Sequence, residues 1–142
     1  MVHTVEILGY RPRTDKPGAL EFKLNATTYH AKCYADPQLA NGLIVVGEHY
    51  PVSVFVEADG TAEYGAADDS SLELLEQHEE GDIVRAKGRT WDSISHDTVL
   101  LNSTPAVALK VKLPQQATDF RGGSSLVATG ILCVDLPPED HD

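Results

Sequence analysis

Apolar and polar residues alternate with a period of two along much of this chain, and this pattern constrains its fold more than any other feature. Within residues 19–24, for example, Leu20, Phe22 and Leu24 alternate with charged residues. Because successive side chains of a strand point to opposite faces, such a segment is predicted to be a strand with one buried face. Together with short apolar runs, the pattern predicts strands near residues 2–10, 19–24, 28–34, 52–57, 81–91, 98–101, 107–113 and 126–136.

Two stretches between these strands predict other structures. Asp59-Gly60 is a dipeptide typical of turns. Residues 68–80 favour a single helix, because Asp69 or Ser70 can cap its first amides and Gly81 can end it. The helix has only a narrow apolar stripe, so we expect it to lie over the edge or open end of a sheet.

About seven short strands with one helix between the early and late strands predict an all-β fold, a closed or partly closed β-barrel. At 142 residues and 42% hydrophobic composition, we expect a single domain over residues 1–136 and a short acidic tail over 137–142. No apolar run is long enough to cross a membrane, and the N-terminus lacks the features of a signal peptide. We therefore expect a cytoplasmic protein with no membrane partner.

The stretch from Gly81 to Trp91 carries the clearest candidate for function. As a strand it places Val84, Ala86, Gly88 and Thr90 on one face, which is small enough to pack on a core. The other face carries what we name the basic strip: Arg85, Lys87, Arg89 and Trp91. Cations can contact phosphates and an aromatic ring can stack on a base of any sequence, so the strip predicts binding of single-stranded nucleic acid.

Two segments of the chain resemble a known family. Residues 1–9, followed by a loop with Gly18 and by residues 21–27, resemble the first two strands of OB-fold single-stranded DNA-binding proteins and their primosomal relatives. Residues 80–91 are similar to the strand of those proteins that begins with Gly-Asp and continues to Gly-Arg. The resemblance implies an OB-like barrel and a non-catalytic module that binds single-stranded nucleic acid. If the early strands pair beside the basic strand, further contacts are expected at Arg11, Arg13, Lys23 and Lys32, and Tyr34 offers an aromatic ring.

The overall charge supports a second hypothesis. The chain has 22 acidic and 11 basic residues and a formal net charge of −11. In this alternative, the cations of the basic strip pair with acids on neighbouring strands, and the protein is an acidic protein-interaction or structural module with an OB-like fold. The long apolar strand at residues 126–136 suggests that the chain forms a homo-oligomer.

The sequence gives no reason to expect an enzyme, a cofactor or a metal site. His30 and Cys33 have the spacing of a ligand pair, but on a strand they face opposite ways. Two cysteines, Cys33 and Cys133, are expected to be free and to behave as small apolar residues.

Overall fold

The computed structural model describes nine strands, with no helix among the described residues. The described residues are 2–12, 17–24, 26–34, 45–64, 71–95, 98–104, 107–112 and 125–135. The strands are β1 (Val2–Arg11), β2 (Gly18–Leu24), β3 (Thr27–Cys33), β4 (His49–Tyr64), β5 (Ser71–Glu76), β6 (Ile83–Ser95), β7 (Thr98–Thr104), β8 (Val107–Lys112) and β9 (Ser125–Asp135). Nothing in these ranges is a helix that could span a membrane. The all-β prediction is confirmed.

Period-two alternation identified the buried faces of the early strands correctly. Leu20, Phe22 and Leu24 on β2 are buried, and the polar residues between them are not. The same alternation buries Tyr29, Ala31 and Cys33 on β3, and Val52, Val54 and Val56 on β4. Phe22 and Tyr29 are paired across the two strands, with ring centroids 5.9 Å apart.

The helix predicted over residues 68–80 is wrong for the part that the structure describes. Residues 71–76 form β5, and residues 77–80 are not helical and end in a turn at 79–80; residues 68–70 lie outside the described residues. Leu72 pairs with Ala86 and Leu74 with Val84 on β6, so both leucines are half-buried at a spacing of two. This pairing with the next strand favours the strand over the helix signals within residues 68–80.

Backbone contacts divide the chain into two compact units. The N-terminal unit comprises the described residues within 2–54, 77–82 and 132–135. In it β1 pairs antiparallel with β2 and with the beginning of β4, β2 pairs antiparallel with β3, and β3 pairs parallel with the end of β9. Because β9 and β4 are also neighbours, these five strands form a ring.

The basic-strand unit comprises the described residues within 55–76 and 83–131. Here β4 pairs parallel with β8, and β8, β7 and β6 follow in antiparallel order. The first half of β6 lies between β5 and β9, antiparallel to both. β5 ends the strand order and pairs only with β6 among the described strands. The β4 strand runs without a break through Asp59-Gly60, so the turn predicted there is wrong.

The apolar character of β9 is explained by its position. In the basic-strand unit it pairs with β6, and in the N-terminal unit it pairs with β3. Leu126, Ala128, Leu132 and Val134 are fully buried. This burial occurs within one chain, and homo-oligomer formation stays a prediction. Cys33 and Cys133 are both buried and not joined in a disulfide, as expected.

Candidate nucleic-acid interface

The alternation expected on β6 is present over its first eight residues. Val84, Ala86, Gly88 and Thr90 are buried. The outward positions are Ile83, Arg85, Lys87 and Arg89; the first three are partly exposed and Arg89 is exposed. The strand therefore places the three cations of the basic strip in one row on its outer face.

Neighbouring strands flank this row differently on its two sides. On the β9 side, Arg85 is opposite Thr129, Lys87 is opposite Val127, and Arg89 is opposite Ser125. Residues directly opposite in a sheet share a face, so the β9 side of the described row is uncharged. Its outward positions are Ser125, Val127, Thr129 and Ile131, all partly exposed.

On the β5 side, a single carboxylate contacts two of the cations. Glu73 is directly opposite Arg85 in the register of β5 and β6. Its Oε1 accepts a long hydrogen bond of 3.4 Å from Arg85 Nη1 and lies 3.7 Å from Lys87 Nζ. Side-chain exposure is 45% for Glu73, 40% for Arg85 and 27% for Lys87, so solvent screens both ion pairs. Pairing of the strip with a neighbouring acid, the alternative reading of the sequence, is thus present at Glu73.

Trp91 also belongs to β6, but its side chain lies outside the described part of the structure. The register of β6 against β7 shifts between Thr90 and Asp92. Such shifts change the direction of a strand and re-aim the side chains near it. Stacking of Trp91 on a base stays a prediction.

The N-terminal unit contains four other candidate residues: Arg11, Lys23, Lys32 and Tyr34. Arg13 lies outside the described residues. Arg11 Nη1 donates a hydrogen bond of 2.6 Å to Glu79 Oε1, and this hydrogen bond and the charge of Glu79 raise the pKa of Arg11 above its ordinary value. Lys23 is exposed on β2. Lys32 Nζ lies 6.0 Å from the ring centroid of Tyr34, whose exposed fraction is 41%. This pair combines a cation with an accessible aromatic ring.

The buried carboxylate of Asp82 links several segments of the N-terminal unit, and the sequence pattern does not reveal this role. Asp82 is 0% exposed, and its two oxygens accept hydrogen bonds from the backbone amides of His30 at 2.7 Å and His78 at 3.0 Å. Its own N–H donates to the carbonyl of His30, and its carbonyl accepts from the N–H of Leu132. The sequence signal that points to Asp82 is the Gly-Asp dipeptide before β6, because it belongs to the segment that resembles the OB-fold family. Nothing in the local pattern shows that Asp82 is buried.

His30 stands between two carboxylates on the outer side of β3. Its Nδ1 lies 3.6 Å from Asp82 Oδ1, and its Nε2 lies 3.8 Å from Glu21 Oε2. Neither distance is that of a hydrogen bond. In the described ranges, no three His, Cys, Asp or Glu side chains converge as metal ligands.

Comparisons with known proteins give no relative for this chain. No protein-family description, curated protein sequence or solved structure matches it.

Proposed function

We propose that this protein is a non-catalytic module that binds single-stranded nucleic acid through the outer face of β6. The observation that carries the proposal is the row formed by Arg85, Lys87 and Arg89, which share one face of one strand. Alternate residues of a strand are about 6.8 Å apart. This separation is comparable with that of neighbouring phosphates on an extended single strand, so each cation can contact one phosphate.

The uncharged β9 side supports the same proposal. Val127 and Ile131 are partly exposed beside the cations. Aliphatic side chains of this kind can pack against base faces, while no described acid on that side repels phosphate. The proposed nucleotide chain runs along β6, with its phosphates over the cations and its bases over β9. Trp91 follows on the same strand and is proposed to stack on a base.

We propose that the strands β1, β2, β3, β9 and β4 form an OB-like barrel. Its support is the ring of β1, β2, β3, β9 and β4, in which β1 pairs with two strands and β3 and β9 are parallel. OB-folds are five-stranded Greek-key barrels that bind oligonucleotides on the face of their second and third strands. By this analogy Lys23, Lys32 and Tyr34 are secondary candidate contacts.

A direct test is the binding of a fluorescently labelled oligo-dT, measured by anisotropy at several salt concentrations. Arg85→Ala with Lys87→Ala is expected to weaken binding at least tenfold. The double variant is also expected to reduce the slope of log K against log salt by about 1.4, since each phosphate neutralised on a single strand contributes about 0.7. Lys110→Ala on β8 is the control for loss of one positive charge. Equal binding by the wild type and the double variant would contradict the proposal.

A protein-interaction module is the second candidate, and the position of β5 favours it. Among the described strands β5 is an edge strand, whose backbone groups can pair with another chain. Its exposed residues include Leu75 and the acids Glu73 and Glu76, which suit a basic peptide in extended form. Protection of the amides of residues 71–76 from hydrogen exchange by a lysine-rich peptide would support this candidate. Unchanged exchange rates in these residues would exclude it.

A further inference from the structure

We propose that Glu73 is a built-in competitor for the phosphate-binding site of β6, occupying Arg85 and Lys87 until nucleic acid displaces it. The inference rests on the proposed function and adds the regulation of that site. It makes β5, which carries Glu73, the strand that sets the affinity of the protein for a single strand.

The geometry places one carboxylate oxygen between two cations. Glu73 Oε1 lies 3.4 Å from Arg85 Nη1 and 3.7 Å from Lys87 Nζ. A phosphate oxygen that bridges Arg85 Nη1 and Lys87 Nζ would take the same position, because it would accept hydrogen bonds from the same donors. Glu73 therefore acts as an internal substitute for phosphate, and both anions cannot occupy the site together.

The contact is loose enough to be displaced. Charge-assisted hydrogen bonds between nitrogen and carboxylate oxygen are usually about 2.7–2.9 Å long, whereas the Arg85 contact is 3.4 Å. All three side chains are partly exposed, and ion pairs between exposed groups are worth little in water. A long glutamate side chain on an edge strand can turn towards solvent without disturbing the sheet.

Loss of this competition is expected to change the affinity and not its salt dependence. Glu73→Gln keeps the shape of the side chain and removes its charge, so affinity for oligo-dT is expected to rise about three- to tenfold at low salt. The slope of log K against log salt is expected to stay close to that of the wild type, because nucleic acid displaces Glu73 in the wild type and the same phosphates are then neutralised in both proteins. Glu76→Gln is the matched control, since it removes the same charge from the same strand and Glu76 lies opposite Ile83 in the register.

Four proteins are compared by fluorescence anisotropy: the wild type, Glu73→Gln, Glu76→Gln and the double variant Arg85→Ala/Lys87→Ala. Thermal melting first shows that each of them is folded. Tighter binding in Glu73→Gln alone, with a slope close to that of the wild type, supports the inference. Equal gains in both glutamine variants would overturn it, because they would reflect only the net charge. Wild-type affinity in Glu73→Gln, with loss in the double variant, would overturn it and leave the proposed function intact. Binding by none of the four proteins would overturn both.

Discussion

The carboxylate of Asp82 accepts a 2.7 Å hydrogen bond from the backbone amide of His30, 52 residues earlier in the chain. The same carboxylate accepts a second bond from the amide of His78, and the backbone of Asp82 is bonded to both β3 and β9. One fully buried side chain thus joins β3 to the turn that precedes β6. Buried amides that lose such a partner keep their full desolvation cost.

Asp82→Ala is therefore expected to lower the free energy of unfolding by about 3 kcal/mol. Asp82→Asn keeps one acceptor and places an NH2 group against an amide donor, so we expect a loss of about 1–2 kcal/mol. Urea unfolding followed by circular dichroism measures both. Asp135→Asn, at an exposed position of β9, is the control and should change stability by less than about 0.5 kcal/mol. A loss no larger in Asp82→Ala than in this control would show that Asp82 is not structural.

Gly130 is expected to be essential for packing in the basic-strand unit. A Cβ built on Gly130 would overlap the carbonyl oxygen of Glu57 and lie 2.6 Å from Ala58 Cα on β4. Backbone atoms cannot move away easily, so Gly130→Ala is expected to cost at least about 2 kcal/mol. At Gly9 the nearest atom would be Glu21 Oε1 at 3.5 Å, an ordinary contact, so Gly9→Ala is the control. Equal stability of the two variants in urea would contradict this packing.

Replacement of Ala26 with glycine is expected to raise the stability of the protein. Two residues separate β2 from β3, and Ala26 has a φ of 69°, in the left-handed region that favours glycine. Ala26→Gly is expected to stabilise the protein by about 0.5–1 kcal/mol. The reciprocal change, Gly47→Ala at a φ of 94° with open space around it, is expected to destabilise by a similar amount. A lower melting temperature for Ala26→Gly would show that this turn is not strained.

The alkaline stability of the protein is expected to depend on Tyr29. Burial raises the pKa of Tyr29 above 10.0, the charge of Asp82 adds to this, and a hydrogen bond with Thr27 opposes it. Because the folded state favours the neutral phenol, this contribution is complete below pH 10 and is lost as the pH rises from there through the folded pKa. Tyr29→Phe should lack this loss. Urea unfolding near pH 9 and pH 11 tests it: the stability difference between wild type and variant should shift in favour of the variant, and a constant difference would contradict the prediction.

Local alternation was enough to predict β2 and β3, because the period of two alone decides which face is buried. It was not enough for residues 71–76, where Leu72 and Leu75 fit a helix while Leu72 and Leu74 fit a strand. The choice is made by pairing with Val84 and Ala86 on β6, the next strand, which the pattern within residues 71–76 does not reveal. Asp59-Gly60 shows a similar limit, since β4 continues through this dipeptide despite its turn signal.

The candidate site was also predictable only in part. Alternation placed Arg85, Lys87 and Arg89 outward, and they face outward. The sequence does not identify Glu73 as the acid beside them, because its segment also fits a helix, which would not pair with β6. Asp82 was missed as a structural residue, since its partners come from β3, β9 and the preceding turn.

The proposed binding face is tested most directly by following the backbone amide signals of the 15N-labelled protein while oligo-dT is added at low salt. We expect the largest shifts in residues 83–91 and in their neighbours on β5 and β9, and we expect added salt to reverse them. Shifts confined to residues 28–34 would assign binding to the face of β2 and β3 instead. No shift at low salt, where phosphate contacts are strongest, would contradict nucleic-acid binding by this protein.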